Sequence, residues 1–476
     1  MDVKLTLFDP QTIQIQTEDM DYYDMMRDEF TRYVPGFRFV PAYKTGRWNG
    51  KICLIQEFRR TFPYGILMDY IRVHKEHFPR NPLKVDKEVL DLFRGPMVEI
   101  NYNLTLYPRP YQVDCIEAAL KHTKGIIRSA TASGKSLVIT YIIKTLLESK
   151  LIEKAIIIVP SLSLITQFRN DMVEYGFKDE HIGEVWAERK QWDKSIVIST
   201  WQSLSRNAER MSEFGAVIVD ETHGAKAHEL KKILGQASNA KYRLGFTGTM
   251  PVNALDKWNT KALLGPIIRD YPAGLLAEQG YISKCTVNML NVNYVQEYKG
   301  EYNDVRDAVF QNKFRKQLIG MLAKKLDHNV LLLVDKVAKE GEVLEKYLKE
   351  KTNKTVVFIS GRDSVAVREK WRKECIVKKD IILIATYGIF QQGINIPNLK
   401  YIILASAFKA KIRVLQSIGR ALRKHADKEE GALIYDICDQ TKFFDKYSKL
   451  RLRYYDSEKF GIKEYKYSES SNNFNL

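Results

Sequence analysis

Gly125-Ile126-Ile127-Arg128-Ser129-Ala130-Thr131-Ala132-Ser133-Gly134-Lys135-Ser136 decides how this chain of 476 residues is read. The apolar run Gly125–Ile127 ends in a cluster of small residues, and a helical pattern opens at Lys135. Strand, small-residue loop, helix is the context in which a Gly-Lys-Ser sequence binds phosphate. Backbone N–H groups at a helix N-terminus point at the anion, and the helix dipole favours negative charge. In that reading Ser133 and Gly134 lie against the phosphates, and Lys135 reaches the β- and γ-phosphates. The Ser136 hydroxyl ligates Mg2+. Ser129 stands where the G-x-x-x-x-G-K-[ST] pattern has its first glycine.

Outward from this loop, apolar runs alternate with helical stretches. Ala155–Val159, Ile196–Ser199, Ala216–Val219 and Tyr242–Phe246 come first. Val330–Val334, Thr355–Ile359, Ile381–Ala385, Tyr401–Leu404 and Ala432–Ile437 follow. Such βα repetition implies parallel sheets covered by helices, here two sheets of about five strands each. The expected division is 100–278 and 279–476, with the boundary near Ala273–Ile282. Residues 1–95 read as a small α+β domain. Val3, Leu5 and Leu7 alternate, as do Ile13 and Ile15, predicting two short strands. Asp19–Tyr33 and Tyr64–Phe78 have helical spacing. Phe37–Ile55 alternates about Asn49-Gly50, a hairpin turn signal. Ser468–Leu476 is polar and reads as a frayed tail.

Composition narrows the function. Hydrophobic residues are 45 % and charged residues 28 %, enough apolar surface for real cores. The N-terminus has no apolar signal segment, and the longest apolar runs are too short for a membrane span. Five scattered Cys, with no C-x-x-C pair, read as buried free thiols of a reducing cytoplasm. The formal net charge of +17 calls for an anionic partner, nucleic acid first. Residues 279–476 carry 37 basic against 24 acidic residues, and residues 32–84 carry 11 against 3.

Two further motifs bear on phosphate chemistry. Ala216–Val219 ends in Asp220-Glu221-Thr222-His223. Asp220 at the strand tip can hold Mg2+, directly or through water, and Glu221 can act as general base on the attacking water. Arg420 and Arg423 fall three apart on the predicted helix Lys409–Lys424, within Gln416-Ser417-Ile418-Gly419-Arg420-Ala421-Leu422-Arg423. Two guanidinium groups on one face suit a γ-phosphate.

Taken in order, the Gly-Lys-Ser loop, Asp-Glu-Thr-His and Gln-x-x-Gly-Arg-x-x-Arg resemble the DExH-type helicases and translocases of superfamily 2. That resemblance spans about residues 100–440 and implies two RecA-like parallel-sheet lobes in tandem, an α/β fold, behind the α+β domain. It implies ATP as the nucleotide and Mg2+ as its metal. Arg109-Pro110-Tyr111-Gln112 resembles the adenine-recognising motif, with Arg109 and Gln112 as the readers. Val159–Gln167, with Pro160 and Gln167, resembles a strand-contacting motif, and Ser199–Leu204, with Thr200, resembles the next. Thr247-Gly248-Thr249 resembles the motif that couples ATP state to the strand path, and His223 is implied to serve the same coupling. Ala385-Thr386 through Gly393-Ile394-Asn395-Ile396-Pro397 resembles a further motif, in which Asn395 is implied to contact the ribose or the other lobe, although many relatives carry Asp there. Gln416 is implied at the nucleotide, and Arg420 and Arg423 as arginine fingers.

A narrower resemblance runs through Gly46-Arg47-Trp48-Asn49-Gly50-Lys51 in a small N-terminal domain ahead of a compact motor. It is to phage helicases of recombination and repair that act on branched DNA. The implied partners are single-stranded and branched DNA, RNA–DNA hybrids, and single-strand-binding or recombination proteins, in the cytoplasm of an infected host. Arg47, Lys51, Arg59 and Arg60 then contact phosphates or stand solvated. Trp48 is a hairpin core residue or a base-stacking one. An RNA helicase and a duplex translocase that does not separate strands remain the competing readings.

Overall fold

The computed structural model describes residues 2–222, 227–251, 253–391, 396–406 and 411–471. His223, Gly393 and Asn395 lie outside the described residues, as do the side chains of Gln416 and Arg420. The chain forms two compact units, Met1–Ser129 with Gly134–Asp270 and Ala130–Ser133 with Tyr271–Leu476.

The first unit begins with a four-stranded sheet in the order Thr61–Pro63, Thr12–Gln16, Val3–Asp9, Leu83–Val85. Val3, Leu5, Ile13 and Ile15 alternate onto one buried face. Tyr22 and Met26 of the helix Met20–Glu29, and Tyr70 and Val73 of Leu67–His77, join the same core. The Asp19 side chain accepts the Tyr22 N–H and starts the first of these helices. That helix stops short of the expected Tyr33, because Thr31–Tyr33 is a strand paired antiparallel with Lys51–Cys53.

Between those strands the expected alternating hairpin is absent. Phe37–Phe39 and Pro41–Lys44 are short helical turns. Pro35 and Pro41 have no N–H for a ladder, and Gly36, Gly46 and Gly50 take positive φ. Phe37 stacks on Tyr33 at 4.6 Å and covers Gly50, where a Cβ would fall 2.5 Å from its ring. Asn49-Gly50 still turns the chain, with the Lys51 N–H donating to Asn49 Oδ1 at 3.0 Å.

The rest of the first unit holds an eight-stranded sheet, wider than the five strands expected. Ile182–Trp186, Ile196–Thr200, Ala155–Val159, Ala216–Asp220, Tyr242–Thr247 and Lys124–Ser129 lie side by side and parallel. Arg189–Lys190 and Ile267–Tyr271 form its edges. Ala155–Val159 is buried throughout, as a strand covered on both faces must be.

The N-terminal elements pack on the helix Ala254–Leu264 of this sheet's cover. Tyr64 Oη donates to the Leu263 carbonyl at 2.8 Å, and Lys261 pairs with Asp69 at 2.8 Å. Trp258 lies against Phe30 at 5.3 Å, under the Arg32 guanidinium at 4.6 Å. A Cβ on Gly65 would stand 1.7 Å from the Lys261 carbonyl oxygen, so the backbones meet there only because residue 65 is glycine.

The second unit contains a seven-stranded parallel sheet in the order Thr355–Ile359, Ile381–Thr386, Val330–Val334, Tyr401–Leu404, Ala432–Asp439, Cys285–Asn293, Gly461–Ser468. Two carboxylates of the strand Ala432–Asp439 are buried against arginines. Arg315 meets Asp439 at 2.8 Å, and Arg451 meets Asp436 at 2.7 Å. Tyr294 also donates to Asp439, and Tyr455 donates to Asp436 at 2.8 Å. Four of the five Cys are buried, while Cys53 is only half-buried. Among the described residues no helix is long and apolar enough to cross a membrane.

Asp439→Ala leaves Arg315 charged in the core and is expected to cost about 3–5 kcal/mol. The double change Arg315→Met with Asp439→Leu is expected to cost less than the single one. Thermal unfolding of the three chains, followed by circular dichroism, checks the pair.

Candidate nucleotide site

The phosphate-type loop leaves the strand Lys124–Ser129 and enters the helix Lys135–Glu148. Ser129 is the last residue of that strand, where glycine's freedom is not required, which accounts for the departure from the pattern. The turn is made later, by Ala132 at φ 69° and Gly134 at φ 74°. Gly134 is required twice over, since a Cβ there would also stand 2.6 Å from Gln112 Nε2.

Gln112 is buried. Its Oε1 accepts the Arg109 N–H at 2.8 Å, and its Nε2 donates to the Gly134 carbonyl at 3.4 Å. One primary amide thereby ties the start of the helix Pro110–His122 to the loop. Arg109, expected beside Gln112 at the base, is exposed.

Lys135 Nζ lies 3.8 Å from Glu221 Oε1 and 3.5 Å from the Ser129 carbonyl. Ser136 Oγ is 3.0 Å from Tyr175 Oη. The sequence reading missed Tyr175, which follows the helix Leu162–Glu174 with no motif to mark it. Asp220 ends the strand Ala216–Asp220, and Glu221 turns away from it at φ 50°, a backbone state costly for a residue with a side chain. Burial, then the neighbouring Glu221 charge, push the Asp220 carboxyl up to about 7, while Lys135 works the other way. Asp220 Oδ1 is buried with no hydrogen-bond partner among the described residues. A hard divalent cation is the partner that such an oxygen fits, and Ser136 supplies a second oxygen of the same kind.

Thr247 Oγ1 donates to the Thr249 carbonyl at 2.9 Å and accepts the Thr249 N–H at 3.2 Å, so Thr247-Gly248-Thr249 is a closed, buried turn. It follows the strand Tyr242–Thr247, the neighbour of both Ala216–Asp220 and Lys124–Ser129. Thr222 packs toward the same strand, its Cγ2 lying 2.9 Å from where a Gly245 Cβ would be.

The remaining expected residues divide by exposure. Gln167 is exposed on the helix Leu162–Glu174, and Pro160 is half-buried before it. Thr200 is buried and caps the helix Trp201–Leu204, accepting the Ser203 N–H at 3.3 Å. Arg47, Lys51 and Arg59 are exposed. Trp48 is half-buried, its Nε1 donating to the Lys51 carbonyl at 2.9 Å. Arg60 is held by the Thr17 carbonyl at 3.0 Å and by the Tyr23 ring at 5.4 Å.

In the second unit the helix Lys411–Ala421 ends before the Lys424 expected of Lys409–Lys424. Lys428 Nζ donates to the Ala421 carbonyl at 2.8 Å, the Ser283 N–H to the Leu422 carbonyl at 2.8 Å, and Ser283 Oγ to the Arg423 carbonyl at 3.0 Å. These bonds take up the last carbonyls and end the helix. Arg423 therefore lies past it, exposed, and does not share a helical face with residue 420.

Parallel sheets with a phosphate loop and an acidic pair on neighbouring strand ends define a nucleoside-triphosphate motor, and the chain resembles the superfamily 2 helicases. Residues 105–252 match the family described as type III restriction enzyme, res subunit, and residues 313–425 match the helicase conserved C-terminal domain. Residues 2–78 match the N-terminal domain of DNA helicase UvsW. The ATP-dependent DNA helicase UvsW of Enterobacteria phage T4 is 28 % identical, over 95 % of this chain and 94 % of its own length. The DNA 3'-5' translocase XPB2 of Sulfurisphaera tokodaii is 26 % identical, over 86 % of this chain and 96 % of its own. A fragment of an HsdR-type subunit of a type I restriction enzyme from Vibrio vulnificus shares the fold, with a TM-score of 0.59, 15 % identity, and coverage of 88 % of this chain and 77 % of that one. The chain is an ATP-dependent, nucleic-acid-dependent helicase resembling UvsW.

The raised Asp220 carboxyl fixes a sign. The folded chain holds that proton more tightly than the unfolded chain, whose carboxyl ionises near 3.8, so ionising Asp220 costs stability as pH rises toward about 7. Asp220→Asn is expected to raise the melting temperature of the nucleotide-free chain at pH 8 more than at pH 5, while abolishing ATP hydrolysis. Melting curves at the two pH values check the sign.

Proposed function

We propose that this chain couples ATP hydrolysis to the remodelling of branched DNA, namely forks, junctions and R-loops, in recombination, repair and replication-fork rescue. The observation that carries the motor reading is Lys135 Nζ 3.8 Å from Glu221, beside an Asp220 oxygen with no partner of its own among the described residues. The branched-DNA reading rests on the UvsW-type N-terminal match and on the basic excess of residues 32–84.

In this reading Lys135 and the backbone N–H groups around Gly134 hold the β- and γ-phosphates. Ser136 and Asp220 would hold Mg2+, which when bound would neutralise charge on the phosphate oxygens. Glu221 orients the attacking water and accepts its proton, with Lys135 Nζ 3.8 Å from its carboxylate before substrate arrives. Gln112 positions the loop through its amide, and Arg109, exposed beside it, meets the base. Arg420, with Arg423, supplies positive charge to the transition state on the strength of its motif. Thr247–Thr249 transmits the state of the acidic pair along the neighbouring strand.

Strand contacts fall to Pro160 and Gln167, and in the N-terminal part to Arg47, Lys51 and Arg59. Thr200 acts through the helix it caps. Phosphate contacts carry no sequence information, so binding is expected to be salt-sensitive and tolerant of sequence.

ATPase and unwinding across single-stranded, blunt duplex, forked and four-way DNA, with RNA alongside, test the reading. Forks and four-way junctions are expected to stimulate most. Preferential stimulation by RNA would make this an RNA helicase, and translocation on blunt duplex without strand separation would make it a duplex translocase. Lys135→Ala is expected to lower turnover by about 10²-fold or more while DNA binding persists. Arg420→Ala is expected to lower kcat by about 10³-fold with ATP affinity kept; an unchanged kcat removes its role.

A further inference from the structure

A cleft of about 410 Å3 opens beside the N-terminal sheet, walled by Phe8, Asp9, Gln11, Gln56 and Arg59, with Ser238 on the far side. Its size falls within the range of small-ligand clefts, about 300–1,000 Å3. Its lining combines one aromatic ring, one guanidinium and two primary amides.

Phe8 is in place for a reason of register. The strand Val3–Asp9 pairs Leu7 with Ile13 and then Asp9 with Thr12, so Phe8 is the extra residue of a bulge. Bulges re-aim a side chain and interrupt pairing. Phe8 is left 45 % exposed, and the Arg59 guanidinium lies 5.9 Å from its ring centroid.

The cleft lining carries one guanidinium, Arg59, and one carboxylate, Asp9. The turn at Asp9 uses that carboxylate: Oδ1 accepts the Gln11 and Thr12 N–H groups at 2.7 and 2.8 Å, and Oδ2 accepts Thr12 Oγ1 at 2.8 Å. Glu57 is drawn to Arg27 at 2.8 Å. Among the described residues no carboxylate pairs with Arg59. Arg59 rides on a tight turn closed by the Gln56 N–H donating to the Thr61 carbonyl at 2.8 Å, and Phe58 on that turn is fully exposed.

We propose that this cleft holds one unpaired nucleotide of the DNA strand, its base stacked on Phe8 and its phosphate on Arg59. The inference rests on the DNA reading above and adds a site to it. Stacking on an aromatic ring tolerates any base, because every base has a π-face. Primary amides offer both a donor and an acceptor, so Gln11 and Gln56 can meet any base edge without selecting one. Gln11 Nε2 donates to the Gly235 carbonyl at 3.3 Å. A helicase with such a cleft captures a base as it leaves the duplex and hinders re-pairing.

Full-length protein bound to a fork carrying 5-iododeoxyuridine, moved one unpaired position at a time, tests this. On irradiation the adduct is expected at Phe8 for one position, to vanish in Phe8→Ala and to return in Phe8→Tyr. Fork affinity is expected to fall about tenfold in Phe8→Ala and to recover in Phe8→Tyr. Adducts that avoid the Phe8 peptide at every position, or unchanged fork affinity in Phe8→Ala, overturn the proposal. Loss of the adduct on adding excess free deoxynucleoside monophosphate, with the fork still bound, assigns the cleft to free nucleotides and overturns it too. DNA-stimulated ATPase of Phe8→Ala judges the motor separately: if it persists while the fork defect is missing, only the cleft proposal falls.

Discussion

Val219 stands opposite Gly245 and Thr247 opposite Arg128, because three neighbouring strands run parallel in one register. Everything chemical in the first unit depends on that pairing. Parallel strands bring their carboxyl ends to one edge of the sheet, and the loops that follow them must lie together. The Gly134–Lys135 loop, the Asp220-Glu221 pair and the Thr247–Thr249 turn come from sequence positions far apart, yet each follows one of the three strands. Slippage of one strand would carry Asp220 out of line with the lysine loop.

Cost concentrates at the same edge. Glu221 sits in a left-handed backbone state, and Asp220 carries an oxygen with no partner among the described residues. Elsewhere buried charge is answered in place, as at Asp439, whose two oxygens both accept from Arg315. A satisfied ion pair fixes packing, whereas an unsatisfied carboxylate invites a ligand. Asp439 and Asp220 show these two treatments of a buried Asp in one chain.

Much of this was legible from residues alone. The apolar strands were read to within a residue or two, since a strand covered on both faces has little choice but Val, Ile, Leu and Ala. Ile182–Trp186 and Cys285–Asn293 were also missed, and two further strands are hidden by their composition. Ile267–Tyr271 carries Arg269 and Asp270, answered by Asp114 and Arg128. Gly461–Ser468 is an edge strand rich in Lys, Glu and Tyr, with one face in solvent. The Phe37–Ile55 alternation misled because prolines and positive-φ glycines overrode it. At the site, motif spacing found Lys135, Asp220 and Glu221. Tyr175 and Phe8 were invisible, because a partner's hydroxyl and a one-residue bulge leave no periodic signal. The single helix drawn through Arg420 and Arg423 failed because Ser283 and Lys428, distant or downstream in sequence, end it early.

The close approach at Gly65 has an evolutionary consequence. With the Lys261 carbonyl where a Cβ would lie, and Trp258 seated beside Phe30, the N-terminal elements and the helix Ala254–Leu264 are complementary surfaces. They cannot drift independently in sequence. A lineage that acquired this N-terminal module by recombination had to acquire, or remake, a helix some 190 residues downstream. Grafting residues 2–78 alone onto another motor would therefore bring the module without its socket.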